Sequence, residues 1–154
     1  MGRVRTAIAA AVLLATACGG SGGDGLPTSP SSIVSFNGTS ASLRVAVADT
    51  PDARRRGLMG VNRLAADEGM AFVFDEPVST TFWMKDTPLP LSIAFVSEGG
   101  RIVTIRDMEP CTGACPRYGA DGPFTLAIEA HRGWFAAHGI GVGDTVELRE
   151  LAYG

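Results

Sequence analysis

The chain has 154 residues, 45% hydrophobic and 19% charged, enough apolar material for one domain with a leader or tail to spare. Its net charge is −3, and its one basic cluster, Arg54-Arg55-Arg56, is too small to build the positive face that a nucleic-acid backbone demands.

The first seventeen residues read as an export signal. Arg3 and Arg5 give a charged start, and TAIAAAVLLATA (residues 6–17) is an apolar run ending in small residues. Twelve residues are too few to cross a hydrocarbon layer of ~30 Å as a helix. Cys18 follows at once, and then GGSGGDGLPTSPSS. This arrangement resembles the bacterial lipoprotein signal, with Ala15 where leucine is commonest. The resemblance implies that Cys18 is lipidated and becomes the first residue of the mature protein. The expected organisation is a signal peptide over 1–17, a lipidated cysteine and flexible Gly/Ser/Pro tether over 18–39, and a single globular domain over 40–154. Loss of Arg3 and Arg5 takes the net charge from −3 to −5. The expected location is the extracytoplasmic face of the cell membrane, held there by the lipid, with no nucleic-acid partner.

SLRVAVAD (42–49) alternates Leu43, Val45 and Val47 with smaller or polar residues, the period of a strand with one buried face. Thr50, Pro51 and Asp52 are an N-cap, a first helical residue and a dipole-matched acid. They predict a helix of barely two turns, with Arg54, Arg55 and Arg56 in its last turn and Gly57 closing it. GMAFVF (69–74) and STTFWMK (79–85) read as strands by length and composition. LSIAFVSEGGRIVTIRDM (91–108) reads as a hairpin turning at Glu98-Gly99-Gly100. FTLAIEA (124–130) and TVELREL (145–151) complete about seven short strands, with one short helix around Trp134 ended by Gly139. The expected class is α+β, mostly β: a small, compact, barrel-like domain with short helices at its ends.

Several phrases in this order, RRRGLMG, EGMAFVF, FWMKDT, PLPLSIAFV, MEPC and GWFAAHGIGVGD, resemble the bacterial and archaeal family called domain of unknown function 192. The likeness runs over residues 43–149 and implies a small barrel-like α+β fold, with no established activity or cofactor. The family usually carries asparagine where this chain has Asp86, which removes a donor at that place.

Cys111 and Cys115 are left to each other, and outside the cytoplasm a disulfide is the default. A zinc half-site and a pair of free thiols are the competing readings, and only His131 and His138 exist to complete a zinc site. No metal site and no cofactor is expected. GIGVGD opens a strand, not a helix, so it reads as a turn and not as a phosphate cradle.

Lys85 is the only lysine among thirteen basic residues. Strand alternation puts Trp83 and Lys85 on one face and Phe82 and Met84 on the other. Trp83, Lys85, Asp86 and Thr87, with Asp107 and Glu109 before the cysteine loop, are the candidate ligand-binding residues. Catalytic residues are not assigned. Met59, Met70, Met84 and the aromatic residues fit either a pocket lining or a core. Three readings remain open. The first is a non-enzymatic module that binds a small molecule, a glycan or an envelope protein. The second is a small enzyme using Lys85 with Asp86, Asp107 or Glu109 as acid and base. The third is a purely structural envelope component.

Overall fold

The computed structural model describes residues 25–152. Cys18, the expected export signal and the first part of the expected tether, residues 18–24, lie outside the described residues. The elements run β1 (Ser32–Phe36), β2 (Ser42–Ala48), α1 (Pro51–Arg56), β3 (Glu68–Val78), β4 (Leu91–Val96), β5 (Ile102–Met108), β6 (Phe124–His131), α2 (Trp134–Ala137) and β7 (Val146–Glu150).

The seven strands form one sheet in the order β5-β4-β6-β3-β2-β1-β7. Every pairing is antiparallel except β2 with β3. That parallel pair requires a crossover, and α1 lies within it. The helix begins as its sequence dictates: the Ala53 N–H donates to Thr50 Oγ1 at 3.2 Å, with Pro51 in the first turn. Gly57 closes it at φ +50°, where its N–H donates to the Ala53 carbonyl.

Mostly β, with two short helices, is what the sequence predicts; closure is looser than barrel-like suggests. The outer strands β5 and β7 meet only at one end. The Val146 N–H donates to the Gly100 carbonyl at 2.8 Å and the Ile102 N–H to the Asp144 carbonyl at 2.9 Å. Beyond these bonds no ladder joins the two edges, so the sheet curls without closing.

Two expected elements change. Ser32–Phe36, inside the stretch read as a tether, is strand β1 and pairs with both β2 and β7. Val34 and Phe36 are buried on one side of it, which explains why a five-residue strand holds its place. Residues 79–85, read as a strand, form no ladder and make only the isolated bridges Phe82–Tyr118 and Lys85–Cys111.

The sheet is apolar on both faces. One face packs on itself inside the curl, where Leu43, Val45, Ala94 and Ile128 meet Phe36, and Trp134 with Phe135 fills one end. Phe36 lies 5.6 Å from Trp134 and 6.0 Å from Phe135, ring centre to ring centre. The other face carries Met70, Phe72, Ile93, Phe95 and Phe124, and irregular chain covers it. Phe82 is the anchor of that cover, 5.0 Å from Phe72 and 5.7 Å from Phe95 at near-perpendicular and tilted angles.

Gly69 in β3 is held by close backbone packing. A Cβ there would collide with the carbonyl of Glu129 on β6, a main-chain atom that cannot swing aside. Gly69→Ala should therefore lower stability by ~1–3 kcal/mol, the usual cost of overpacking, read as a lower urea midpoint. An unchanged midpoint would show that the two strands can separate freely at this point.

Candidate functional site

The cover over the second face consists of two stretches of chain that clasp each other. Phe82 exchanges two backbone hydrogen bonds with Tyr118, at 2.8 and 2.9 Å, and the Asp86 N–H donates to the Cys111 carbonyl at 2.9 Å. Cys111 and Cys115 are joined by a disulfide, which tightens the loop on which Lys85 and Thr87 rest. The Tyr118 hydroxyl accepts from the Glu109 N–H at 3.2 Å and holds the base of the same loop.

This clasp accounts for the FWMKDT phrase. Phe82 and Met84 turn to the sheet, and Met84 is 1% exposed. Trp83 and Lys85 face outward, with the Lys85 ammonium 5.5 Å from the Trp83 ring centre. The Lys85 ammonium makes no hydrogen bond and no ion pair among the described residues, while the Lys85 carbonyl accepts from the Thr87 hydroxyl at 3.3 Å. Asp86 has φ +55°, the left-handed region that only glycine, asparagine and aspartate enter at small cost. Its carbonyl accepts from the Gly60 N–H at 2.8 Å. The backbone thus explains why asparagine or aspartate stands here, and no donor is needed from the side chain.

Asp107 and Glu109, proposed from sequence as partners of Lys85, are engaged elsewhere. Arg132 pairs with Glu109 and, at 3.8 Å, with Asp107. Ser92 donates to Asp107 at 2.5 Å and accepts from the Gly133 N–H at 2.8 Å, tying the end of β5 to the loop before α2. These carboxylates form a latch. His131 bonds the Leu64 carbonyl at 2.8 Å, and His138 bonds the Trp134 carbonyl and stacks on that ring at 4.1 Å. Among the described residues no group of three or more histidine, cysteine or acidic residues is arranged to hold a metal.

The cavity that does form lies between the end of α1 and the clasp, with a volume of about 400 Å³, the size of a small-ligand site. Its walls are aromatic, from Phe72, Phe74, Phe82 and Trp83, with the hydroxyls of Thr80, Thr81 and Thr87 between them. Four guanidinium groups stand at its rim. Arg54 is committed to the fold: it donates to the Asp49 and Val73 carbonyls at 2.5 and 2.8 Å and lies over the Phe74 ring. Arg55 pairs with Asp52. Among the described residues the Arg56 side chain has no partner, and Arg117 does no more than stack on Trp83 at 4.2 Å.

Glu129 on β6 lines the same cavity. It sits mid-strand between Met70 of β3 and Ile93 of β4 and is 4% exposed. Its carboxyl has no hydrogen bond and no ion pair among the described residues. The structure leaves no fully enclosed side-chain oxygen without a partner, so the carboxyl meets solvent through the cavity. Burial alone pushes its pKa from 4.5 to about 8, so at neutral pH it is mostly the uncharged acid. Sequence reasoning passed over Glu129 and Arg117. Of the sequence candidates, only Trp83 and Thr87 reach this cavity. Asp86 and Thr87 line a second hollow of about 330 Å³ beside Cys111, which has no cation in its lining.

Two outcomes follow from these placements. Lys85→Ala should cost no more than ~0.5–1 kcal/mol in thermal unfolding, since it loses only the contact with Trp83; a larger loss would mean the ammonium satisfies a buried group. For Glu129 the folded pKa is the raised one. The stability of its neutral form is therefore complete below about pH 4.5 and is lost as pH rises through about 8. The shift sets an upper bound of roughly 5 kcal/mol on that loss. Wild type should lose more thermal stability than Glu129→Gln between about pH 5 and pH 8. Parallel curves would show that burial does not raise the pKa of this carboxyl.

Comparison with known proteins places this geometry among relatives. No curated protein matches the sequence. A solved structure of a protein of unknown function from Novosphingobium aromaticivorans DSM 12444 is similar at a TM-score of 0.70 and 35% identity, covering 75% of this chain and 83% of that one. A second, named a "putative transcription regulator" from Sinorhizobium meliloti 1021, is similar at a TM-score of 0.70 and 30% identity, over 78% of this chain and 95% of that one. The family model for domain of unknown function 192, described as an uncharacterized ACR, matches residues 32–148, so the chain belongs to that family.

Proposed function

We propose that this protein is a small-molecule-binding domain displayed outside the cytoplasm on a lipid anchor, with its ligand in the cavity between α1, Trp83 and Glu129. One observation carries the reading: a buried carboxyl lines a cavity of ligand size together with two guanidinium groups, and among the described residues none of the three has a polar partner. A polar group taken from water without a partner costs stability, and a ligand that supplies the partner removes that cost. The export signal and Cys18 support the location, as does the Cys111–Cys115 disulfide, a bond that persists in oxidising compartments. The net charge of −3 favours a small ligand over nucleic acid, although one relative bears a regulator's name.

Glu129 also supports a second reading. A carboxyl with its pKa raised to about 8 can serve as a general acid, and a bound ligand recovered chemically altered would make the domain an enzyme.

Titration of the purified protein with panels of anions, sugars and short peptides should give a saturable change in Trp83 fluorescence, weakened at least several-fold by Arg117→Ala and little by Lys85→Ala. If no compound produces a saturable change, the cavity is not a binding site. For the location, Cys18→Ser should release the protein from the membrane fraction; an anchored mutant would rule out the lipid.

A further inference from the structure

We propose that the cavity takes an organic monoanion with an apolar body, its charged head against Arg56 and Arg117 and a hydrogen-bond acceptor on the Glu129 carboxyl. This rests on the small-molecule reading above and names the chemistry of the ligand. The rim is cationic, and the carboxylate nearest to it in sequence, Asp52, is already paired with Arg55. Arg56 and Arg117 come from α1 and from the loop after the disulfide, and among the described residues neither guanidinium has a polar partner. An anion entering there meets guanidinium groups suited to planar, two-pronged recognition.

Deeper in, the surroundings become apolar. The strand neighbours of Glu129, Met70 and Ile93, carry no charge, and neither does the Phe82 ring that covers this face. Two residues along the same strand, His131 is already bonded to the Leu64 carbonyl. Lys85, the remaining cation of the clasp, is not among the cavity residues and lies against Trp83 on the outside. No cation among the described residues, the four arginines of the cavity included, pairs with an ionised Glu129, and burial favours the neutral acid. A neutral acid in an apolar floor offers one strong O–H donor, and its complement is a carbonyl or ether oxygen. The aromatic wall between rim and floor calls for a flat or apolar body.

The competing complement is an ammonium group, which would bind the ionised carboxylate and make the ligand a zwitterion. Three benzoates that share one anionic head separate these cases. Para-acetylbenzoate presents an acceptor to the floor, para-ethylbenzoate an apolar group, and para-aminomethylbenzoate an ammonium. Titrations of the purified protein followed by NMR, across the pH range around 8, give the comparison.

The expected order at neutral pH is acetyl tighter than ethyl by several-fold, the worth of one net hydrogen bond, with aminomethyl weakest. The acetyl preference should disappear as pH rises through about 8, as the donor proton is lost. Glu129→Gln keeps a donor of the same shape, so it should retain the acetyl preference and lose its pH dependence. Arg117→Ala should weaken all three probes alike. Tighter binding of aminomethyl, strengthening with pH, would overturn the acceptor assignment and leave the binding reading standing. Equal binding of all three would show that Glu129 does not contact the ligand, which also overturns it. If none of the three binds, the small-molecule reading itself fails.

Discussion

The structure depends on a sheet that is apolar on both faces while its two edges meet at only one end. Curling covers one face, because Phe36, Trp134 and Phe135 fill the hollow that the curl creates. The second face, with Phe72, Phe95 and Phe124, would be a large exposed apolar patch without a cover. No helix supplies that cover: α1 has six residues, none of them buried, and α2 has four. Irregular chain must do it, and irregular chain leaves its backbone polar groups in need of partners.

The clasp solves that problem. Residues 82–87 and 111–118 satisfy each other's backbone groups at both ends, at Phe82–Tyr118 and Asp86–Cys111. The disulfide fixes the second segment, and Phe82 pins the first to the sheet through rings on three strands: Phe72, Phe95 and Phe124. A cover held at separated points cannot match the packing of a helix along its length, and the gap it leaves beside α1 is the cavity. Fold and site thus have a common origin. Phe72 and Phe82 both bury the face and line the hollow, and the interior strand β6 carries Glu129.

Much of the fold is visible in the sequence because it rests on local rules. The alternation of Leu43, Val45 and Val47, the Thr50-Pro51 start of α1 and the glycines of the β4–β5 turn each act within a few residues. Two failures have the opposite cause. Ser32–Phe36 lies in a Ser/Gly/Pro-rich stretch, and it becomes a strand because β2 and β7 both offer it an edge. Residues 79–85 have strong strand propensity but only isolated partners, so packing against the face decides their shape. The site was harder to see. Lys85 drew notice as the only lysine, yet its ammonium meets only Trp83; Asp107 and Glu109 looked available, yet Arg132 holds them. The signal for the site was Glu129 in FTLAIEA, a single acid at an inward position of an otherwise apolar strand.

That acid is the place where local and global demands disagree. A leucine at position 129 would extend the apolar face shared by Met70 and Phe72, and nothing in the protein would be left unpaired. Glutamate there carries a desolvation cost that no arginine relieves, although four arginines line the same cavity. Among the described residues no guanidinium pairs with the carboxyl, so the cavity keeps its cationic and acidic parts separate. An arrangement selected for stability alone would join them into an ion pair or remove both. Their separation across an aromatic wall is what a bound molecule with two distinct polar ends would require, and this carries the functional reading further than any single side chain does.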